Sequence, residues 1–313
     1  MRGGDTTSAD RTIAILLATF NGERFIDEQL NSIAHQTISK IDVYVSDDGS
    51  TDRTLDILQA WQRRWNKGRF EISAGPRRGF AENFRGLMRI DRQADYLAFS
   101  DQDDVWDANK LEAAISWLDR GGGGPALYVS RTRLIDSSGH FIGLSPLFAR
   151  PPDFRNALVQ SVGGGNTAVM NRSAMVLVAE SAQATSFVSH DWWCYLICTG
   201  AGGRVFYDPD PHMGYRQHDQ NVVGRNSGWS ARARRVVALL QGRFARWTDT
   251  NLDALKRCDK LLTEEANVTV QRFVTLRKKR GYIAVRGVRE LGLFRQTFLG
   301  QLGLLLAAFI GKI

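Results

Sequence analysis

The chain has little of what staples a fold or carries it through a membrane. Its three cysteines, Cys194, Cys198 and Cys258, form no CxxC pair and no even framework, which excludes a disulfide scaffold. Cys194 and Cys198 are four apart, on one helical face, with no Cys or His at zinc-ligand spacing; reduced, buried thiols in a cytoplasmic protein are expected. Met1 to Asp10 is polar and small and has no apolar signal-peptide core, so secretion is not expected. A spanning helix wants about twenty apolar residues. Gln296 to Gly311 falls short, is interrupted by Gln301 and is flanked by Arg295 and Lys312. There is no internal repeat and no low-complexity tract.

What is present is an ordinary globular balance, 43% hydrophobic and 24% charged over 313 residues, enough for one large α/β domain with an appendage or for two ordinary domains. The net charge of +8 suits an anionic partner: a nucleotide, a nucleic acid or an acidic membrane surface.

Thr12 to Ala18 is a continuous apolar, β-branched run, the pattern of a strand buried on both faces. A turn at Asn21-Gly22 leads to helical spacing from Arg24 to Gln36. A second strand, Ile41 to Val45, ends in Ser46-Asp47-Asp48-Gly49-Ser50-Thr51-Asp52, and a helix follows with Leu55, Ile57, Leu58 and Trp61 inward. Phe70 to Ser73 reads as strand, Phe80 to Ile90 as helix and Tyr96 to Phe99 as strand. The last runs into Ser100-Asp101-Gln102-Asp103-Asp104-Val105-Trp106, with a helix from near Asn109. This β-α alternation predicts a Rossmann-like, mostly parallel sheet with helices on both faces. Ligands bind such sheets at the carboxyl ends of the strands, where both acidic clusters fall. Further on, Leu127 to Leu134 and Val205 to Tyr207 read as strands. Gly163-Gly164-Gly165-Asn166 is a turn before Thr167 to Met170, and a helix follows within Val188 to Thr199.

Asp101 and Asp103, one residue apart, can share a divalent cation, or one can hold it while the other accepts hydrogen bonds from a ribose; a diphosphate leaving group needs such neutralisation. The plainer alternative is a helix N-cap by Asp103 or Asp104. The Asp47–Asp52 cluster has the same two readings, and a carboxylate there can also accept from the N3–H of uracil or thymine. Asp191 is a candidate general base for a sugar hydroxyl, with Trp192 and Trp193 offering faces for a pyranose. The alternative is a helix start with core tryptophans. His218 can complete a metal shell and Arg216 can pair with phosphate.

Six segments in order, Ala18-Thr19-Phe20-Asn21-Gly22-Glu23, Ser46 to Asp52, Ser100 to Trp106, Gly163 to Thr167, His190-Asp191-Trp192-Trp193 and Tyr215-Arg216-Gln217-His218, resemble the family 2 glycosyltransferases, whose catalytic domain has the GT-A fold. The resemblance spans residues 12 to 224. It implies a catalytic domain over 1–224, a helical extension over 225–313 and an inverting transfer from a nucleoside-diphosphate sugar to a glycan or lipid-linked glycan. Thr19, Asn21, Glu23, Asp48, Asp101 and Arg216 would bind the donor. Asp103 and His218 would hold Mn²⁺ or Mg²⁺, Asp191 would be the base, and Trp192 and Trp193 would meet the acceptor. SDQDDVW, HDWW and YRQH are similar to bacterial rhamnosyltransferases of O-antigen, capsule or cell-wall assembly, which makes dTDP-L-rhamnose the leading donor, with UDP-hexoses next. Asp219 stands where the subgroup often has glycine. The QxxRW motif of processive synthases is absent near His218, which favours single-sugar addition. A nucleotidyltransferase would want a basic Gly-rich phosphate loop, whereas Thr19 to Arg24 holds one glycine and one arginine. A non-catalytic scaffold would tolerate loss of the acids, and all of them are present.

Beyond about Gly224 the character changes, and residues 229 to 313 read as mostly helical in pattern and rich in arginine. Arg232, Arg234, Arg235, Arg243 and Arg246 among Val236, Val237, Leu239, Leu240, Phe244 and Trp247 read either as a basic amphipathic helix for an anionic membrane surface or as a solvated helix packed on the catalytic part. No zinc-finger, RNP-type or helix-turn-helix signature points to nucleic acid. Leu291, Phe294, Phe298, Leu302, Leu305 and Phe309 form a helical stripe suited to peripheral docking at the inner face of a membrane or to a partner helix.

Overall fold

The computed structural model describes residues 11–89, 93–218 and 242–313. Asp219, the boundary at 224/225, Ile90 and the arginines at 232–235 lie outside the described residues.

Seven strands make the main sheet: β1 (Thr12–Thr19), β2 (Lys40–Asp47), β3 (Phe70–Ala74), β4 (Tyr96–Ser100), β6 (Ala126–Ser130), β9 (Val169–Asn171) and β10 (Arg204–Asp208). Their order across the sheet is β10-β6-β9-β4-β1-β2-β3. Pairing is parallel except at β9, which runs antiparallel to both β4 and β6. Period-2 alternation divides β1 between two cores. Ile13, Ile15 and Leu17 face α1 (Ile26–Ala34), α2 (Thr54–Arg64) and α4 (Lys110–Leu118). Ala14 and Leu16 face α3 (Phe80–Met88), α6 (Arg172–Ala184) and α7 (His190–Gly200). Both faces of the central strands are therefore dry, which is why they read as unbroken apolar runs.

Two expectations need correction. Leu55 is exposed, because the inward face of α2 is set by Thr54, Leu58 and Trp61. The strand expected over 127–134 breaks after Ser130, and the chain crosses into a second sheet at β7 (Arg133–Ile135). That sheet also holds β5 (Val105–Trp106), β8 (Phe141–Leu144) and β11 (Met213–Arg216); it carries Arg216 and delivers the chain to His218.

The later helices are α8 (Arg243–Arg257), α9 (Glu264–Arg277), α10 (Gly281–Glu290) and α11 (Phe298–Phe309). They share the core of α6 and α7 through Leu252, Leu255, Phe273, Leu304 and Ala308. Phe244 turns inward to stack on Trp192, at 6.5 Å between ring centroids. Between α10 and α11, the segment 294–296 straps down the chain that follows α5 (Phe154–Ala157). Asn156 Nδ2 donates to the Phe294 carbonyl at 2.8 Å, Arg295 Nη1 to the Val159 carbonyl at 2.8 Å, and Gln296 N to Gln160 Oε1 at 2.8 Å. No helix among the described residues is long and apolar enough to cross a membrane.

Candidate active site

The carboxyl ends of β1, β2 and β4 lie side by side, and the loops that leave them are stitched together by their own polar groups. Thr19 Oγ1 donates to Asp47 Oδ2 at 2.9 Å. Asp47 Oδ1 also accepts from Gly49 N and Ser50 N, which closes the turn into α2; Gly49 takes φ +97°, a conformation that favours glycine. Asn21 Oδ1 accepts from Thr51 N at 2.8 Å, and Glu23 Oε2 from Arg53 N at 2.9 Å, so both tie the loop after β1 to the loop after β2. Asp48 accepts from Arg77 N at 2.6 Å and Gly79 N at 2.8 Å, which fixes the turn into α3. Thr19, Asn21, Glu23 and Asp48, all expected in the donor site, are thus gathered at one end of the sheet, where their hydrogen bonds fasten the loops and turns.

The segment after β4 is held just as firmly. The Gln102 amide brackets the Phe20 backbone, accepting from its N–H at 2.8 Å and donating to its carbonyl at 3.0 Å. Asp104 is fully buried and accepts from Asn166 Nδ2 at 2.6 Å and Arg216 N at 3.1 Å. It therefore ties the Gly163–Thr167 turn and β11 to β4. Neither Asp103 nor Asp104 caps α4, which starts at Lys110 with Asn109 before it. Asp103 Oδ2 lies 2.8 Å from His218 Nε2, and both side chains are only slightly exposed.

Asp191 sits in the first turn of α7, where the helix dipole favours a negative charge, and accepts from Ser161 Oγ at 3.1 Å. Its neighbour His190 is buried without a hydrogen-bond partner on either ring nitrogen, stacked 3.8 Å from Phe84 and edge-on to Phe99. Burial pushes its pKa down to about 4 against the raising effect of Asp191, so it packs as a neutral ring. Gly165 passes so close that a Cβ there would fall 1.8 Å from His190 Nε2, which makes glycine obligatory at that point of the turn.

The three candidate carboxylates share one electrostatic site. Desolvation, with the charges of Asp103 and Asp191 behind it, pushes Asp101 up to about 7. Desolvation, then the charges of Asp103 and Asp101, raises Asp104 well above the carboxylate range. Such an excess of negative charge fits a hard divalent cation. Among the described residues no three acidic, histidine or cysteine side chains close on one point. Asp103 and His218 would supply two ligands and leave the rest of the shell to phosphate oxygens and water.

Two expectations fail on burial. Trp192 and Trp193 do not offer faces to an acceptor: both lie in the core, with Trp192 Nε1 donating to the Ala157 carbonyl at 2.6 Å and Trp193 Nε1 to Ser181 Oγ at 3.0 Å. Successive helical residues point about 100° apart, so the turn that aims Asp191 outward aims its neighbours inward. Arg216 is fully buried. Nε donates to the Asp103 carbonyl at 2.9 Å, Nη1 reaches the Ser137 carbonyl at 3.2 Å, Nη2 pairs with Glu28 at 2.6 Å, and the group lies over the Phe25 ring. It shapes the Asp103 loop and does not face a phosphate. Sequence reasoning missed Ser161, Asn166, Glu28 and Gln102 as the partners that hold the site. Asn166 and Gln102 lay within the motifs; Ser161 and Glu28 carried no signal.

Acidic loops gathered at the carboxyl ends of a parallel sheet are where such a fold binds its ligands. Residues 14–175 match the family described as glycosyl transferase family 2, and the chain belongs to that family. It is 30% identical over 235 residues to the dTDP-rhamnosyl transferase RfbG of Shigella flexneri, covering 70% of this chain and 78% of the relative. It is 30% identical over 110 residues to the UDP-Glc:α-D-GlcNAc-diphosphoundecaprenol β-1,3-glucosyltransferase WfgD of Escherichia coli, covering 35% of this chain and 42% of that enzyme. The crystal structure of S. aureus TarS 1–349 in complex with UDP-GlcNAc superposes with a TM-score of 0.55 at 15% identity, covering 96% of this chain and 89% of the other, and confirms the GT-A fold. The protein is a glycosyltransferase.

Proposed function

We propose that this enzyme transfers L-rhamnose from dTDP-rhamnose, with inversion, to a glycan or lipid-linked glycan in bacterial surface-polysaccharide assembly. Catalysis belongs to the domain over residues 1–224, and residues 225–313 are an extension whose described residues, from 242 on, are mainly helical. The observation that carries the reading is the grouping of Asp101 and Asp103, just past the end of β4, with Asp191 in the first turn of α7. Thr19, Asn21, Glu23 and Asp48 form the floor under the nucleotide, and Asp101 faces the ribose and diphosphate. Asp191, held by Ser161, takes the proton of the acceptor hydroxyl. The freed oxygen bonds to the anomeric carbon while the bond from that carbon to the diphosphate breaks, and its electron pair leaves with the nucleoside diphosphate. Asp103 and His218 would hold Mn²⁺ or Mg²⁺, which neutralises charge on the leaving diphosphate when bound.

The rhamnose preference rests on the RfbG relative, which the chain spans for most of its length. A UDP-hexose is the second donor class, supported by the UDP-GlcNAc held in the similar TarS structure. The test follows nucleoside diphosphate release from dTDP-rhamnose, UDP-glucose, UDP-galactose, UDP-N-acetylglucosamine and GDP-mannose, with Mn²⁺ or with EDTA. Metal-dependent release from dTDP-rhamnose alone supports the reading. Release from a UDP-hexose alone replaces the donor, and full release in EDTA removes the metal.

A further inference from the structure

The charge of the chain is unevenly placed. Residues 271–313 hold nine Lys or Arg and one Glu, a net +8, and the whole chain is +8. Residues 1–270 are therefore balanced, and the entire excess of positive charge lies on the last helices.

Among the described residues, the same region also carries the largest group of exposed apolar side chains. Helix α11 has no charged residue, and its exposed positions are Phe298, Leu299, Leu302, Leu306 and Phe309, between 48% and 77% accessible. At about 100° per residue these five lie within an arc of about 100°. A surface helix normally turns polar residues outward; this one turns its apolar stripe outward while Leu304, Ala307 and Ala308 hold it to the core. At the start of α10, Tyr282 and Ile283 are equally exposed, directly after the exposed run Lys278-Lys279-Arg280. The stripe has a cation at each end: the Arg280 side chain lies across Gly311, just past α11, and Arg295 lies against Gly300 in its first turn.

We propose that α10 and α11 form a docking face for an anionic lipid bilayer, lying in the headgroup region with the apolar stripe toward the acyl chains and the Lys278–Arg280 run on lipid phosphates. An uncharged apolar stripe flanked by arginines is the arrangement of an interfacial helix. Twelve residues, about 18 Å, can lie on a bilayer but cannot cross it. Charge decides between occupants, since a second copy of this surface would bring +8 against +8. The strap at 294–296 stands directly before α11 and holds the chain that leads to Ser161 and Asp191, so docking at this face would set the active site at a fixed height over a lipid-linked acceptor.

The test is sedimentation of the full chain with vesicles of neutral phosphatidylcholine, or of phosphatidylcholine mixed with phosphatidylglycerol. It needs no donor, so it can fail while the donor reading stands, and the reverse. Binding to the anionic vesicles about tenfold or more tighter than to the neutral ones, weakened by salt, is expected. The combined substitution Phe298→Gln, Leu302→Gln and Phe309→Gln should abolish it. Lys278→Gln with Lys279→Gln and Arg280→Gln should weaken it about a hundredfold. All these sites are exposed, so both variants should keep the melting temperature and the donor hydrolysis rate. Equal binding to both vesicle types, or anionic binding untouched by the apolar variant, overturns the proposal. So does a wild-type chain that ignores vesicles but elutes as a dimer that the apolar variant dissociates.

Discussion

The strand ends of the sheet and the outer face of α10 and α11 handle charge in opposite ways. At the strand ends, acids are crowded together, partly buried and fastened by short hydrogen bonds, so that Asp101 is pushed up to about 7 by desolvation and its own neighbours. On α10 and α11 the cations are spread around an exposed apolar stripe and owe little to burial. Carboxylates crowded in this way repel one another, and a divalent cation would relieve that repulsion. A face that meets a broad surface distributes charge and stays accessible. The strap at 294–296 joins the two: Gln296 stands two residues before α11, and Gln160, whose side-chain oxygen accepts from its backbone N–H, is one residue from Ser161.

Substitutions should separate the two regions cleanly. The largest effect is expected at Asp191→Asn, which keeps the Ser161 contact and removes the proposed base. Turnover should fall about 10²- to 10⁴-fold while donor binding by calorimetry stays within a few-fold. Equal loss of binding would make Asp191 a donor ligand. Next, Trp193→Ala should cost about 3–5 kcal/mol of stability by emptying the core between α6 and α7, read from denaturant midpoints. Activity per folded molecule should then fall only as α7 loosens. A specific rise in acceptor KM at unchanged stability would restore the aromatic to the acceptor site.

A smaller effect should follow from His190. Its folded pKa is lowered from 6.5 to about 4, so the unfolded chain takes up the proton first. Its contribution is fully present above pH 6.5 and is lost as pH falls toward 4, by at most about 3 kcal/mol. His190→Leu should flatten the melting temperature across that window relative to wild type. An unchanged slope would show that this ring does not set it.

Much of the sheet was legible because β1, β2 and β4 are buried on both faces and so cannot hide their apolar runs. The second sheet was not. Its strands are two to four residues long, and β8 is exposed along most of its length, too short for a period to show. Helix α6 passed unread because small residues and serine fill much of its buried face. Within the site, the meeting of Asp103 with His218, 115 residues apart, came only from resemblance to a family. The misplacing of Trp192, Trp193 and Arg216 has a common cause: a motif gives the order of residues, whereas direction is decided by helical rotation and by what β7, β11 and Glu28 bring to meet them.

The most direct measurement is calorimetric titration of dTDP into the wild-type protein and into Asp103→Asn, each with Mn²⁺ and with EDTA. If the strand-end acids hold a cation for the diphosphate, binding is strong only for wild type with Mn²⁺ and drops sharply in the other three cases. Binding of equal strength in EDTA, or an Asp103→Asn variant that responds to Mn²⁺ as wild type does, would contradict the assignment of Asp103 and His218 as metal ligands.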